Sequence, residues 1–160
     1  MLGNSIGISI GTRSIGVAVF EKGHLLEWQV KSFKEKMSTE KLRMISDSVL
    51  KLMKDYGCTE VIFKTPYECQ TYTNLAMLKK HLVKTLTTCN YSVHFYSISE
   101  IKAALGDSIK NKQKLIEWGA RTYKQLGAAY EKERKIKNCY YTKLFEAVAV
   151  LHVHIHRQYD

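Results

Sequence analysis

Residues 5–20 read SIGISIGTRSIGVAVF, and this stretch constrains the fold more than any other. Ile6, Ile8 and Ile10 alternate with small residues, the two-residue period of a buried strand. Gly11, Thr12 and Arg13 make a turn, and Ile15, Gly16, Val17, Ala18 and Val19 return as a second apolar strand. Such a strand-turn-strand frame often presents a metal-binding carboxylate from the middle of its first strand. Here that position holds Ser9.

The remaining elements extend the frame. A third strand is expected over 24–32, after a turn at Lys22 and Gly23. A helix follows over 39–55, with Leu42, Ile45, Val49, Leu50 and Met53 on one face and Gly57 as its stop. Residues 60–64 read as a short buried strand that ends before Pro66. A second helix is expected over 73–88, a fifth strand over 91–96, and two more helices near 109–126 and 140–157. Three strands in a meander followed by alternating helix and strand describe an α/β fold, a mixed five-stranded sheet covered by helices. That is the element order of the RNase H-like fold.

The chain has 160 residues, 45% of them apolar, which suits one domain spanning 1–160 with its own core. One proline and no Gly/Ser-rich stretch leave no visible linker. No apolar run approaches the ~18 residues of a membrane span, and the first residues lack a secretory pattern. An intracellular protein, cytoplasmic or nucleoid-associated, is expected. Cys58, Cys69, Cys89 and Cys139 form no paired spacing, so they read as buried or half-buried free thiols rather than a zinc site. The strongest compositional signal is charge: 25 Lys and Arg against 15 Asp and Glu give +10. Such an excess favours a polyanionic partner, because each neutralised phosphate releases condensed counterions.

Four collinear stretches resemble the RuvC family of Holliday-junction resolvases. Gly7-Ile8-Ser9-Ile10-Gly11-Thr12-Arg13 is similar to the family's first strand, which normally carries an aspartate in place of Ser9. Val61-Ile62-Phe63-Lys64 resembles the strand that normally ends in a catalytic glutamate, at the place of Lys64. Ile101 to Gly106, followed by Lys110 and Lys112, resembles the family's Val-Lys…Gly…Lys segment, about one residue shorter here. Lys143-Leu144-Phe145-Glu146-Ala147-Val148-Ala149, with His154 and His156 beyond, resembles the last helix, normally Asp-x-x-Asp-Ala-Leu-Ala with a later His-x-His. The GTRSIGVAV segment is also similar to YqgF-type nucleases of the same superfamily.

The resemblance implies a carboxylate cluster that holds two Mg²⁺ ions for hydrolysis. At the four acid positions this chain has Ser9, Lys64, Lys143 and Glu146, so only Glu146 keeps the required sign of charge. No intact catalytic set and no metal cofactor are therefore expected. The resemblance further implies a two-fold dimer on branched DNA, with Arg13, Lys102, Lys110 and Lys112 as phosphate contacts and Tyr67 stacking at the opened junction centre. Two rivals stand beside this reading. One is an active structure-selective endonuclease, Mg²⁺-dependent, recruiting other acids such as Glu60 or Glu68, although both lie poorly for it. The other is a protein-interaction module on the same fold. The run from Lys132 to Lys137 reads as a mobile basic loop. His152, His154 and His156 read as surface groups at a helix C-terminus, with no third metal ligand of suitable spacing nearby.

Overall fold

In the computed structural model, which describes residues 3–11, 13–33, 36–65, 73–136 and 141–158, the alternation of the first strand sorts the whole molecule into two faces. Strands β1 (Asn4–Ile10), β2 (Ser14–Glu21) and β3 (His24–Ser32) form the antiparallel meander, and β4 (Cys58–Lys64) and β5 (Ser92–Tyr96) add in parallel beyond β1. The sheet order is β3-β2-β1-β4-β5. Ile6, Ile8 and Ile10 of β1 join Ile15, Val17, Val19, Val61 and Phe63 in a core closed by helices α1 (Thr39–Asp55) and α2 (Thr73–Thr88). The opposite side chains of the same strands face a second core built around α6 (Thr142–Gln158), with α3 (Ile98–Leu105), α4 (Lys112–Thr122) and α5 (Gly127–Ile136) outside it. This is the mixed five-stranded sheet flanked by helices that the element order implied.

Helix α6 lies against the sheet at main-chain distance. A Cβ on Gly7 would sit 2.5 Å from the Ala147 carbonyl oxygen, and one on Gly16 would collide with the backbone of Lys143 and Leu144. Two glycines therefore let the helix settle onto β1 and β2, a close approach that a side chain would forbid. The helix start is fixed as well. Glu133 of α5, nearly buried, accepts hydrogen bonds from the Tyr141 N–H and the Thr142 hydroxyl, both at 2.9 Å. A carboxylate there also suits the positive end of the helix dipole.

Four local expectations need correction. Residues 98–105 form a helix, α3, where no helix was expected; Ser97 and Glu100 close a reciprocal capping box at its start. The helix expected over 109–126 is shorter. It starts at Lys112, where Asn111 caps it, and gives way to a 3-10 turn at Lys124–Leu126. The basic run from Lys132 is no loop: residues 132–136 continue α5, whose Ala, Glu, Lys and Arg content favours helix. Lys137 lies outside the described residues. Cys58 is buried, and burial pushes its thiol up to about 12; Cys89 is exposed, contrary to expectation. Cys69 and Cys139 lie outside the described residues. Among the described residues no helix is long and apolar enough to cross a membrane.

Candidate functional site

Strands β1 and β4 pair in parallel, with Ser9 beside Lys64 and Ser5 beside Glu60. In a sheet, side chains two and four residues apart share a face, so both pairs look toward α6. They are four residues apart, ~13 Å along the strands. On α6, Glu146 and His154 are eight residues apart, ~12 Å along the helix. The spacings match, and the helix runs against the strands. Glu146 therefore meets Ser9 and Lys64, while His154 meets Glu60.

At the first meeting point one carboxylate is held by three donors. Ser9 Oγ donates to Glu146 Oε1 at 3.0 Å, Lys64 Nζ pairs with Oε2 at 3.0 Å, and Lys143 Nζ reaches Oε1 at 3.5 Å. Ser9, Lys64 and Glu146 are buried, whereas the Lys143 side chain keeps 30% of its surface exposed. Burial alone would push the Glu146 carboxyl up. Lys64 and Lys143, with the Lys64 and Ser9 hydrogen bonds, outweigh it and hold the group below its ordinary value. Burial lowers the Lys143 ammonium, opposed by Glu146 and aided by Lys64 and Lys112.

The cluster does not fit a divalent cation. Two ammonium groups occupy the space around its one carboxylate among the described residues, and each repels a cation. A pair of unit charges ~4 Å apart interacts by about 4 kcal/mol at an effective dielectric of 20, and a divalent ion doubles that. Mg²⁺ needs oxygen ligands, usually ionised carboxylates and water. Among the described residues, no group of three or more His, Cys, Asp or Glu converges here. No hydrolytic step through bound Mg²⁺ follows from this set of side chains.

The basic residues surround that point unevenly. Lys112, at the exposed start of α4, is close enough to Lys143 for their charges to interact. Lys110 is exposed, and Lys102 Nζ donates to its carbonyl at 3.4 Å, so Lys102, Lys110 and Lys112 follow one loop and its flanking helix ends. Arg13 is exposed in the β1–β2 turn, beyond the strand end that carries Ser9. Tyr67 and Glu68 lie outside the described residues.

The second meeting point corrects two expectations. His154 is 2% exposed, and His152 is half-buried with its Nδ1 2.7 Å from the Tyr123 hydroxyl. Burial lowers the His152 imidazole to about 4. Only His156 is exposed, its Nδ1 turned back to the His152 carbonyl at 2.8 Å. The reading as surface groups fails because α6 is covered on several sides, by the sheet and by α3 and α4. A third partner also exists: Glu60, inside β4, gathers with His94 and His154. Sequence spacing could not reveal this trio, since Glu60 and His154 are 94 residues apart in the chain.

The fold itself has solved counterparts. The chain superposes on Thermus thermophilus RuvC in complex with a Holliday-junction substrate with a TM-score of 0.69 and 16% identity, covering 98% of this chain and 96% of that one. The fowlpox virus resolvase, solved with substrate Holliday-junction DNA, gives 0.65 and 11%, covering 98% and 99%. The yeast mitochondrial Holliday-junction resolvase gives 0.58 and 10%, covering 98% and 79%. No family model matches the sequence, and no curated protein matches it. The chain has a RuvC-like fold.

Proposed function

We propose that this protein binds branched, four-way-junction-like DNA through a basic face and does not cleave it by metal-dependent hydrolysis. The observation that carries the reading is Glu146 locked between Lys64 and Lys143, at 3.0 and 3.5 Å, on a RuvC-like frame. Solved neighbours of that frame hold Holliday junctions. Where a two-metal nuclease would attract cations, this pocket is cationic, and Lys112 beside Lys143 extends the positive charge to the surface. Arg13, Lys102, Lys110 and Lys112 contact phosphates in this reading, and Tyr67 stacks on opened bases. The net charge of +10 supplies the sequence-independent part of the affinity. The assembly is a two-fold dimer matching the symmetry of a four-way junction.

The test is affinity for a four-way junction and for a linear duplex of the same length, at one salt concentration near physiological, with cleavage followed in Mg²⁺ and Mn²⁺. Preference for the junction without cleavage supports the reading, with Tyr67→Ala weakening junction binding alone by up to ~1–3 kcal/mol. Equal affinity for both forms removes the junction preference. Cleavage abolished by Glu146→Gln establishes a nuclease with an unusual acid set. No salt-dependent DNA affinity at all leaves a protein-interaction module.

A further inference from the structure

The trio at the far end of α6 plays no part in the reading above, and its geometry is peculiar for hydrogen bonding. Glu60 Oε2 faces His154 Nε2 at 3.4 Å and His94 Nε2 at 3.6 Å. Both distances exceed the ~2.7–3.2 Å of a good N–H···O bond. They do suit three ligands around a shared ion. A tetrahedral centre with bonds of about 2.0–2.1 Å to nitrogen and oxygen separates its ligand atoms by about 3.3–3.4 Å. The three ligand atoms lie within 4.8 Å of one another, so only small rotations of the half-exposed His94 ring are needed to close the set.

The ligands are also held from behind. His154 Nδ1 is 2.8 Å from the Tyr96 hydroxyl, which fixes the ring and leaves Nε2 toward the trio. Ser5 Oγ donates to Glu60 Oε1 at 2.6 Å and leaves Oε2 for the centre. Metal-ligating histidines and carboxylates are commonly anchored through their other polar atom in this way. His154 is buried, while the His94 side chain is 37% exposed and opens the fourth position to water. Two imidazoles and one carboxylate suit zinc and its transition-metal neighbours and leave Mg²⁺ and Ca²⁺ poorly served.

We propose that Glu60, His94 and His154 form a zinc-class divalent metal site, with water as fourth ligand, that clamps the C-terminal half of α6 onto β4 and β5. The site is about four strand residues from the Lys64–Glu146 cluster and does not depend on the DNA-binding reading.

The full-length chain, stripped with EDTA and dialysed, is titrated with Zn²⁺ against a chromophoric chelator, and separately with Co²⁺. We expect one Zn²⁺ per chain, the intense visible bands of tetrahedral Co²⁺, and a rise in Tm on zinc addition. His94→Ala and Glu60→Gln should each weaken zinc by about a hundredfold or more, beyond what loss of an outer anchor costs, and should abolish the cobalt bands. His94 is partly exposed, so its variant is expected to fold as judged by far-UV circular dichroism; should it not, Glu60→Gln carries the test. His156→Ala and Cys89→Ser should leave binding unchanged. Zinc binding that survives both His94→Ala and Glu60→Gln, or that disappears with Cys89→Ser, overturns the site, as does a wild-type chain that takes up no zinc.

Discussion

Replacing Glu146 by Gln isolates the electrostatics of the central cluster. Glutamine keeps the shape and an acceptor for Ser9 Oγ, but removes the charge facing Lys64 at 3.0 Å and Lys143 at 3.5 Å. Lys143, with 30% of its side chain exposed, can turn its ammonium to water; Lys64, with 6%, stays in the core. The penalty is that of a buried ammonium losing this carboxylate, about 3–5 kcal/mol. For a domain of this size each kcal/mol lowers Tm by about 2–4 °C, so a fall of roughly 6–20 °C is expected. Urea and thermal unfolding followed by circular dichroism measure it. A second signature lies in pH. The Glu146 carboxyl is held below its ordinary value in the folded chain. Its contribution is therefore fully present above the unfolded carboxyl pKa of ~4.3 and is lost as pH falls through the lower folded value. The stability gap between wild type and Glu146→Gln should narrow as that range is crossed. The double variant Lys64→Met/Glu146→Leu, which replaces the pair by apolar groups, should recover most of the loss. A gap below ~0.5 kcal/mol at pH 7, within the range of ordinary surface substitutions, refutes the reasoning. So does a gap that stays constant on acidification.

Three further outcomes are expected. Lys143→Met should cost less than Lys64→Met in the same unfolding assay, because Lys143 is partly solvated and burial already opposes its charge; the reverse order contradicts the assigned pairing. Gly16→Ala should cost ~1–3 kcal/mol or more, since its methyl group meets the α6 backbone rather than a movable side-chain tip; an unchanged denaturation midpoint would show that α6 can retreat. Lys112→Ala and Lys102→Ala should weaken binding to junction and duplex alike and flatten the salt slope by about one unit per lost phosphate contact; unchanged slopes place the DNA elsewhere.

The sequence made some elements legible and hid others for physical reasons. The strand alternation at Ile6, Ile8 and Ile10 and the apolar stripe of α1 repeat over short windows, so burial of one face shows in the residue pattern. Helix α3 carried a readable signal, the Ser97…Glu100 capping box, that its single buried residue, Ile101, could not reinforce by periodicity. Helix α5 hid behind its charges: the Lys and Arg side chains that suggest a basic loop also favour helix, and its polar anchor Glu133 acts on Tyr141 and Thr142 at the start of the following element. At the central cluster, the matched stretches named Ser9, Lys64, Lys143 and Glu146, and the structure brings all four side chains together. The Glu60–His94–His154 group was invisible because it depends on the register between α6 and the sheet. That register is set by the close approach at Gly7 and Gly16, and no local spacing encodes it.

The close pairing of Ser9, Lys64 and Glu146 also limits how such a chain can change. Ser9→Asp alone would place a second carboxylate beside Glu146, yet the two lysines would make the quartet neutral, with little pull on a divalent ion. Lys64→Glu alone would bury two like charges against a lysine that is partly in water, and folding would suffer before any ion arrived. The first step is thus either silent for metal affinity or costly for stability. Measured stabilities of the two single variants would expose this barrier directly. A chain that has once acquired this buried arrangement is kept in it by the requirement to fold, whatever selection acts on its surface.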